Sequence, residues 1–185
     1  MAAETTIKQI NLRAGQRAER KLLVTVAEWV EPTLDGTTEG TETVRELLGV
    51  RTEDSAIEYN PDIQESTDIL GNNYTDVNKT QPSQSFDPFL ILGGSRLGAF
   101  LNDIRRRNAL SELQQFTIYV ITAFIGNETD GYEAEKHTDC SITYESFGGD
   151  ANVNFPITVH YSNKITTGTV DKIGTDLVFT ADANV

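Results

Sequence analysis

Phe116-Thr-Ile-Tyr-Val-Ile-Thr-Ala-Phe-Ile125 is an uninterrupted run of β-branched, aromatic and small residues without a charge, Gly or Pro, and it predicts a long strand. Asn127-Glu-Thr-Asp-Gly131 follows with turn chemistry, and Tyr132 to Phe147 supplies a second strand, so the pair reads as a hairpin. Beyond it, Val153, Phe155, Ile157, Val159 and Tyr161 alternate with Asn152, Asn154, Thr158 and His160, the period-two pattern of a strand with one apolar face. Ser162-Asn-Lys164 turns the chain into a strand over Ile165 to Val170, and Asp176 to Thr180 predicts a last short one.

Upstream of the hairpin the period changes. Leu97, Phe100, Leu101 and Ile104 recur at helical spacing between Ser95 and Asn108, with Ser95 as cap and Asp103, Arg105 and Arg106 turned outward. Arg105, Arg106 and Arg107 stand in the last turns, where cations complement the helix dipole. Still earlier, Lys21 to Val30 reads as a strand with Val24, Val26 and Val30 on one face and Leu23, Ala27 and Trp29 on the other, so both faces are expected to be covered. Glu31 to Glu42 reads as an exposed turn-rich loop, and the acids from Glu39 to Glu46 as solvated.

The stretch Glu53 to Asp87 is polar and acidic, punctuated by Asn60-Pro61, Gly71-Asn-Asn73 and Gln81-Pro82. Its apolar residues, Ile57, Tyr59, Ile63, Ile69, Leu70, Tyr74 and Val77, are too few to fill a core, so its backbone is expected to be satisfied by strand addition to a neighbour. These elements predict one domain over residues 1–185, mainly β with one packed α-helix (α+β), as a β-sandwich or open β-barrel. Residues 1–21 form an N-terminal arm in this reading, and residues 53–87 an extended polar loop or hairpin segment.

Fifteen Lys and Arg against 28 Asp and Glu give a net charge of −13, a balance that repels phosphate and argues against a nucleic-acid reader. Residues 1–21 are the exception, with Lys8, Arg13, Arg17, Arg20 and Lys21 against Glu4 and Glu19. A basic end and an acidic middle can attract each other between copies. A single cysteine, Cys140, excludes an internal disulfide. The start of the sequence lacks a signal-peptide pattern and no run approaches a membrane span, so the expectation is assembly in the cytoplasm without membrane insertion.

Chemistry-bearing patterns are sparse. Leu92-Gly-Gly-Ser-Arg-Leu-Gly98 could hold a phosphate at a helix start, but it lacks the P-loop Lys-Ser/Thr ending and the dinucleotide glycine spacing. His137 and Cys140 form an H-x-x-C pair with His160 alone elsewhere; strand positions three apart point to opposite sides, so surface or interface roles are expected and no metal. No D-x-D-x-D-G calcium loop occurs. The residues therefore point to a protein with no catalytic site and no cofactor, with a carbohydrate- or receptor-binding β-sandwich and a carboxylate-pair hydrolase as the other classes.

Several strings carry a resemblance. Gly49 to Asp62, Ser66-Thr-Asp-Ile-Leu-Gly71, Asn78 to Pro88, Arg107-Asn-Ala-Leu-Ser-Glu-Leu113, Tyr132 to Cys140 and Val159-His-Tyr-Ser-Asn-Lys164, in this order and spacing, resemble the tail tube (major tail) proteins of long-tailed bacteriophages and their prophage and tailocin relatives. The resemblance implies a small β-sandwich or barrel with a flanking helix, six-membered rings, and stacking into a hollow virion tube through which DNA passes unbound. Partners implied are further copies of the chain and other tail proteins such as tape measure, terminator and baseplate or tip components. A flexible tail and the inner tube of a contractile particle are both compatible with it. Subunit-interface candidates are then Arg17 and Arg20 of the arm, Tyr59, Asp68, Phe86 and Asp87 of the polar stretch, and Arg105, Arg106 and Arg107 of the helix.

Overall fold

The structure is a computed structural model and describes residues 10–32, 41–52, 54–77 and 80–183. In chain order the strands are β1 (Leu23–Pro32), β2 (Thr41–Leu47), β3 (Ile57–Glu58), β4 (Ile63–Thr67), β5 (Asn73–Val77), β6 (Ser83–Phe86), β7 (Phe116–Asn127), β8 (Gly131–Tyr144), β9 (Ile157–His160), β10 (Ile165–Val170) and β11 (Phe179–Ala181). One α-helix, α1 (Arg96–Arg107), lies between β6 and β7. The fold is mainly β with a single packed helix, as the sequence patterns imply.

The main sheet runs β2-β1-β7-β8-β9-β6-β3, with β10 and β11 joining through β8. β8 is the branch point. Its first half, Tyr132 to His137, pairs with β10, and its second half, Ser141 to Tyr144, pairs with β9. Between the halves lies a bulge: Ile118 faces His137 but Phe116 faces Cys140, so three steps on β8 match two on β7. Asp139 takes the left-handed conformation there, with φ of 57°. The extra residue shifts the in–out phase of β8, so that Ala134 faces one layer while Cys140 and Ile142 face the other.

Two apolar layers result, one on each side of β1 and β7. Ala27 and Trp29 with Phe116, Ile118 and Val120 join Leu97, Leu101 and Ile104 of α1 and Phe155, Ile157 and Val159 in the larger core. Val26 with Tyr119, Ile121, Ala134, Val170 and Leu177 forms the smaller one beneath β10 and β11. The expectation that β1 is covered on both faces holds as far as Trp29; Val30 is exposed.

Two sequence expectations are corrected. Thr41 to Leu47 is a strand, not a run of solvated acids: its charged residues alternate with Val44, which is buried, and pair across to β1 in the register Glu28↔Arg45 and Glu31↔Glu42. The last strand begins at Phe179, because Leu177 is drawn into the smaller core and Asp171 accepts the Val178 N–H at 2.7 Å. The rest of the expected 31–42 loop, residues 33–40, lies outside the described residues, as do residues 1–9 of the arm.

Candidate functional site

The helix start is already occupied from within. Ser95 caps α1, its hydroxyl accepting the Gly98 N–H at 3.0 Å. Glu46 of β2 accepts the Leu97 N–H at 2.8 Å and the Ser95 hydroxyl at 2.7 Å. A carboxylate therefore sits where a phosphate would bind, and the glycine-rich Leu92–Gly98 turn is a helix entry. Arg96 offsets the added charge, bonding Glu31 at 2.7 Å and Glu42 at 3.1 Å. Its hydrogen bond holds the Glu42 carboxyl below the usual range.

The histidines and the cysteine do not converge on a metal. No group of three possible ligands occurs among the described residues. His137 and Cys140 are buried, which corrects the expectation of surface residues: the bulge between them re-aims Cys140, so that two positions three apart both face inward. His137 meets Tyr161 edge-on with ring centroids 4.8 Å apart and lies 3.1 Å from Glu135 through Nε2. The Cys140 thiol donates to the His137 carbonyl at 3.6 Å, and burial pushes its pKa up. His160 is exposed, 3.0 Å from the Thr143 hydroxyl. One buried polar group had no sequence signal: Gln84 on β6 accepts from Tyr161 at 2.6 Å and from Thr25 at 3.1 Å, tying β1, β6 and the end of β9 together.

The interface candidates separate into engaged and free residues. Phe86 is 1% exposed, part of the larger core, so the idea that it acts at a surface is corrected. Arg107 bonds Asp103 at 2.7 Å and Glu112 at 2.8 Å within its own chain. Arg20 donates to the Ser55 carbonyl at 2.7 Å and to the Leu23 carbonyl, which fixes the end of the arm against the body. Asp87 accepts from Asn154 at 3.0 Å. Arg17 is exposed, Tyr59 is exposed, and Arg105 lies over the Phe147 ring at 4.3 Å. Arg105 and Arg106 form no ion pair among the described residues.

The polar stretch contains the most distinctive feature. β4 and β5 pair with each other in the register Ile63↔Val77 to Thr67↔Asn73 and belong to neither branch of the main sheet. At five residues each, the strands reach about 17 Å. Asp68 builds the tip, accepting from Leu70 N–H at 2.8 Å, Asn72 N–H at 2.9 Å and Asn72 Nδ2 at 3.0 Å. These bonds hold its carboxyl below the usual range, the Asn72 side chain being the chief cause. Ile69 and Leu70 are 103% and 82% exposed, and Ile63, Tyr74 and Val77 are also exposed. An isolated two-stranded hairpin is marginal in water, and one ending in bare aliphatic side chains is suited to a partner.

The sequence matches no family model. Among curated proteins, too, nothing matches it. Solved structures similar to it include chains of an extracellular contractile injection system and of the anti-feeding prophage. A sheath/tube terminator of an extracellular contractile injection system has a TM-score of 0.43 and 13% identity, over 83% of this chain and 98% of that one. The tube-terminating cap of the anti-feeding prophage has 0.45 and 16%, over 91% and 99%. A chain from the baseplate of the same particle has 0.46 and 9%, over 84% and 97%.

Proposed function

We propose that the chain is a non-catalytic subunit of a phage-tail-like particle, which associates with its own copies into stacked hexameric rings enclosing a hollow tube. The β4–β5 hairpin is the observation that carries this reading. It leaves Ile63, Ile69, Leu70, Tyr74 and Val77 in water, and full burial of one such aliphatic side chain stabilises by about 1.5–3 kcal/mol. Only contacts with another molecule recover that energy. β2 and β3 end the main sheet, and such edges can continue into the sheet of an adjacent copy.

Charge fits a conduit. With 28 acids against 15 basic side chains, a wall made of such subunits repels phosphate and lets DNA slide without sticking. Assembly takes place in the host cytoplasm and places the protein in the virion tail, flexible or contractile, beside tape measure, terminator and baseplate or tip proteins.

Electron microscopy of the concentrated protein tests the reading. Rings or tubes are expected, and the double variant Ile69→Ser, Leu70→Ser is expected to lose them while keeping its circular dichroism spectrum. Monomers at every concentration, retained on a carbohydrate or receptor column, would replace this function with a binding module.

A further inference from the structure

The two poles of one branch of the sheet differ. β6 runs antiparallel to β9 from Ser83↔His160 to Phe86↔Ile157. The hairpin emerges at the Ser83 pole, where its root is closed by the Gln81 N–H on the Tyr59 carbonyl at 3.1 Å and by Asn60 Nδ2 on the Gln81 carbonyl at 3.2 Å. Past Phe86, at the other pole, Leu90 bridges Asn154 and the Ile91 N–H donates to the Val153 carbonyl at 3.1 Å. There a groove of about 350 Å³ opens between α1 and the 147–153 segment. Leu90, Ile91, Ala99, Phe147 and Val153 line it, with Arg51 among them.

We propose that the Ile69–Leu70 tip of one copy seats in this groove on the next copy. The proposal rests on the self-assembly reading and supplies its receptor. Phe147 and Val153 are 44% and 45% exposed, so the groove offers apolar surface to an apolar tip. Charge agrees in sign. Residues 63–77 carry Glu65, Asp68 and Asp76 with no Lys or Arg, whereas the groove has Arg51 and, over Phe147, Arg105. Glu145 and Asp150 on the neighbouring segment, and Asp87 bonded to Asn154, temper this attraction.

Placement decides what such a contact builds. A tip at one pole and its receptor at the opposite pole of the same sheet make a head-to-tail contact, which does not close after two copies and continues from copy to copy. Such a contact builds a ring where the rotation closes and a stack where it does not.

Chains with one added, exposed cysteine test it directly, because the native Cys140 is fully buried. Leu70→Cys mixed with Ala99→Cys under mild oxidation is expected to form disulfide-linked heterodimers roughly tenfold or more faster than Leu70→Cys mixed with Ile173→Cys, an exposed control far along the chain. Equal rates for the two mixtures, or Leu70→Cys joining itself as fast, overturn the groove. Ala99→Glu, at an exposed helix position, is expected to abolish tubes while leaving the melting curve unchanged. Tubes that persist in Ala99→Glu, with no selective cross-link, reject the groove but leave the tube reading standing. Selective cross-linking in a protein that forms neither rings nor tubes supports the groove and rejects the tube.

Discussion

Glu46 and Leu97 join the second strand to the helix: the Glu46 carboxylate receives the Leu97 N–H at 2.8 Å, in the first turn of α1. The same carboxylate also takes the Ser95 hydroxyl, so the start of α1 is tied to β2 at two points. Replacing Glu46 by Ala removes a cap that faces the positive end of the dipole, and an expected loss of about 1–2 kcal/mol follows. Urea unfolding of Glu46→Ala measures it; an unchanged midpoint would show the cap to be energetically idle.

Phe86→Ala is expected to lower the stability of the monomer by about 3–5 kcal/mol, since the ring is enclosed in the larger core. Thermal unfolding of the dilute protein is the measurement. A loss below about 1 kcal/mol would mean that the core collapses around the gap without penalty.

Burial of Cys140 raises its thiol pKa, so little thiolate exists near neutral pH. A maleimide or disulfide reagent is therefore expected to leave the native protein unlabelled and to modify one thiol per chain in denaturant. Rapid labelling of the native protein would contradict the enclosure of the bulge.

Asp68 titrates below the usual carboxylate value of about 3.9 because Asn72 and the tip amides bond its charged form. A group depressed in the folded state adds stability above its unfolded pKa and loses it as pH falls through the folded value, so the tip is expected to loosen only in strong acid. Amide shifts of Leu70 and Asn72 followed by NMR report the midpoint. A midpoint at or above the ordinary value would remove the tip network, and Asp68→Asn is expected to broaden the same signals at neutral pH.

Much of the architecture was legible because burial and period coincide. Phe116 to Ile125 has no reading but strand, and Leu97, Leu101 and Ile104 are buried on α1 as their spacing requires. β2 was missed because Glu42 and Glu46 look solvated in the sequence, while in the fold one pairs with Arg96 and the other caps the helix. The shared side of His137 and Cys140 escaped for a different reason: a bulge between them changes which way Cys140 points, and only the pairing of β8 with β7 reveals it. The hairpin was anticipated as an extended segment poor in core residues, but the sequence did not separate Phe86, which closes the core, from Ile69 and Leu70, which leave it. Arg107 likewise finds its acids at Asp103 and Glu112, a local pairing that the arginine run does not announce.

β8 belongs to both wings of the sheet, and this shared strand has a mechanical meaning. Neither the β10–β11 wing nor the β9–β6–β3 wing can melt without stripping partners from the strand that the other needs. The body thus behaves as a single cooperative unit, and the β4–β5 hairpin, paired only with itself, is the part left outside that cooperativity.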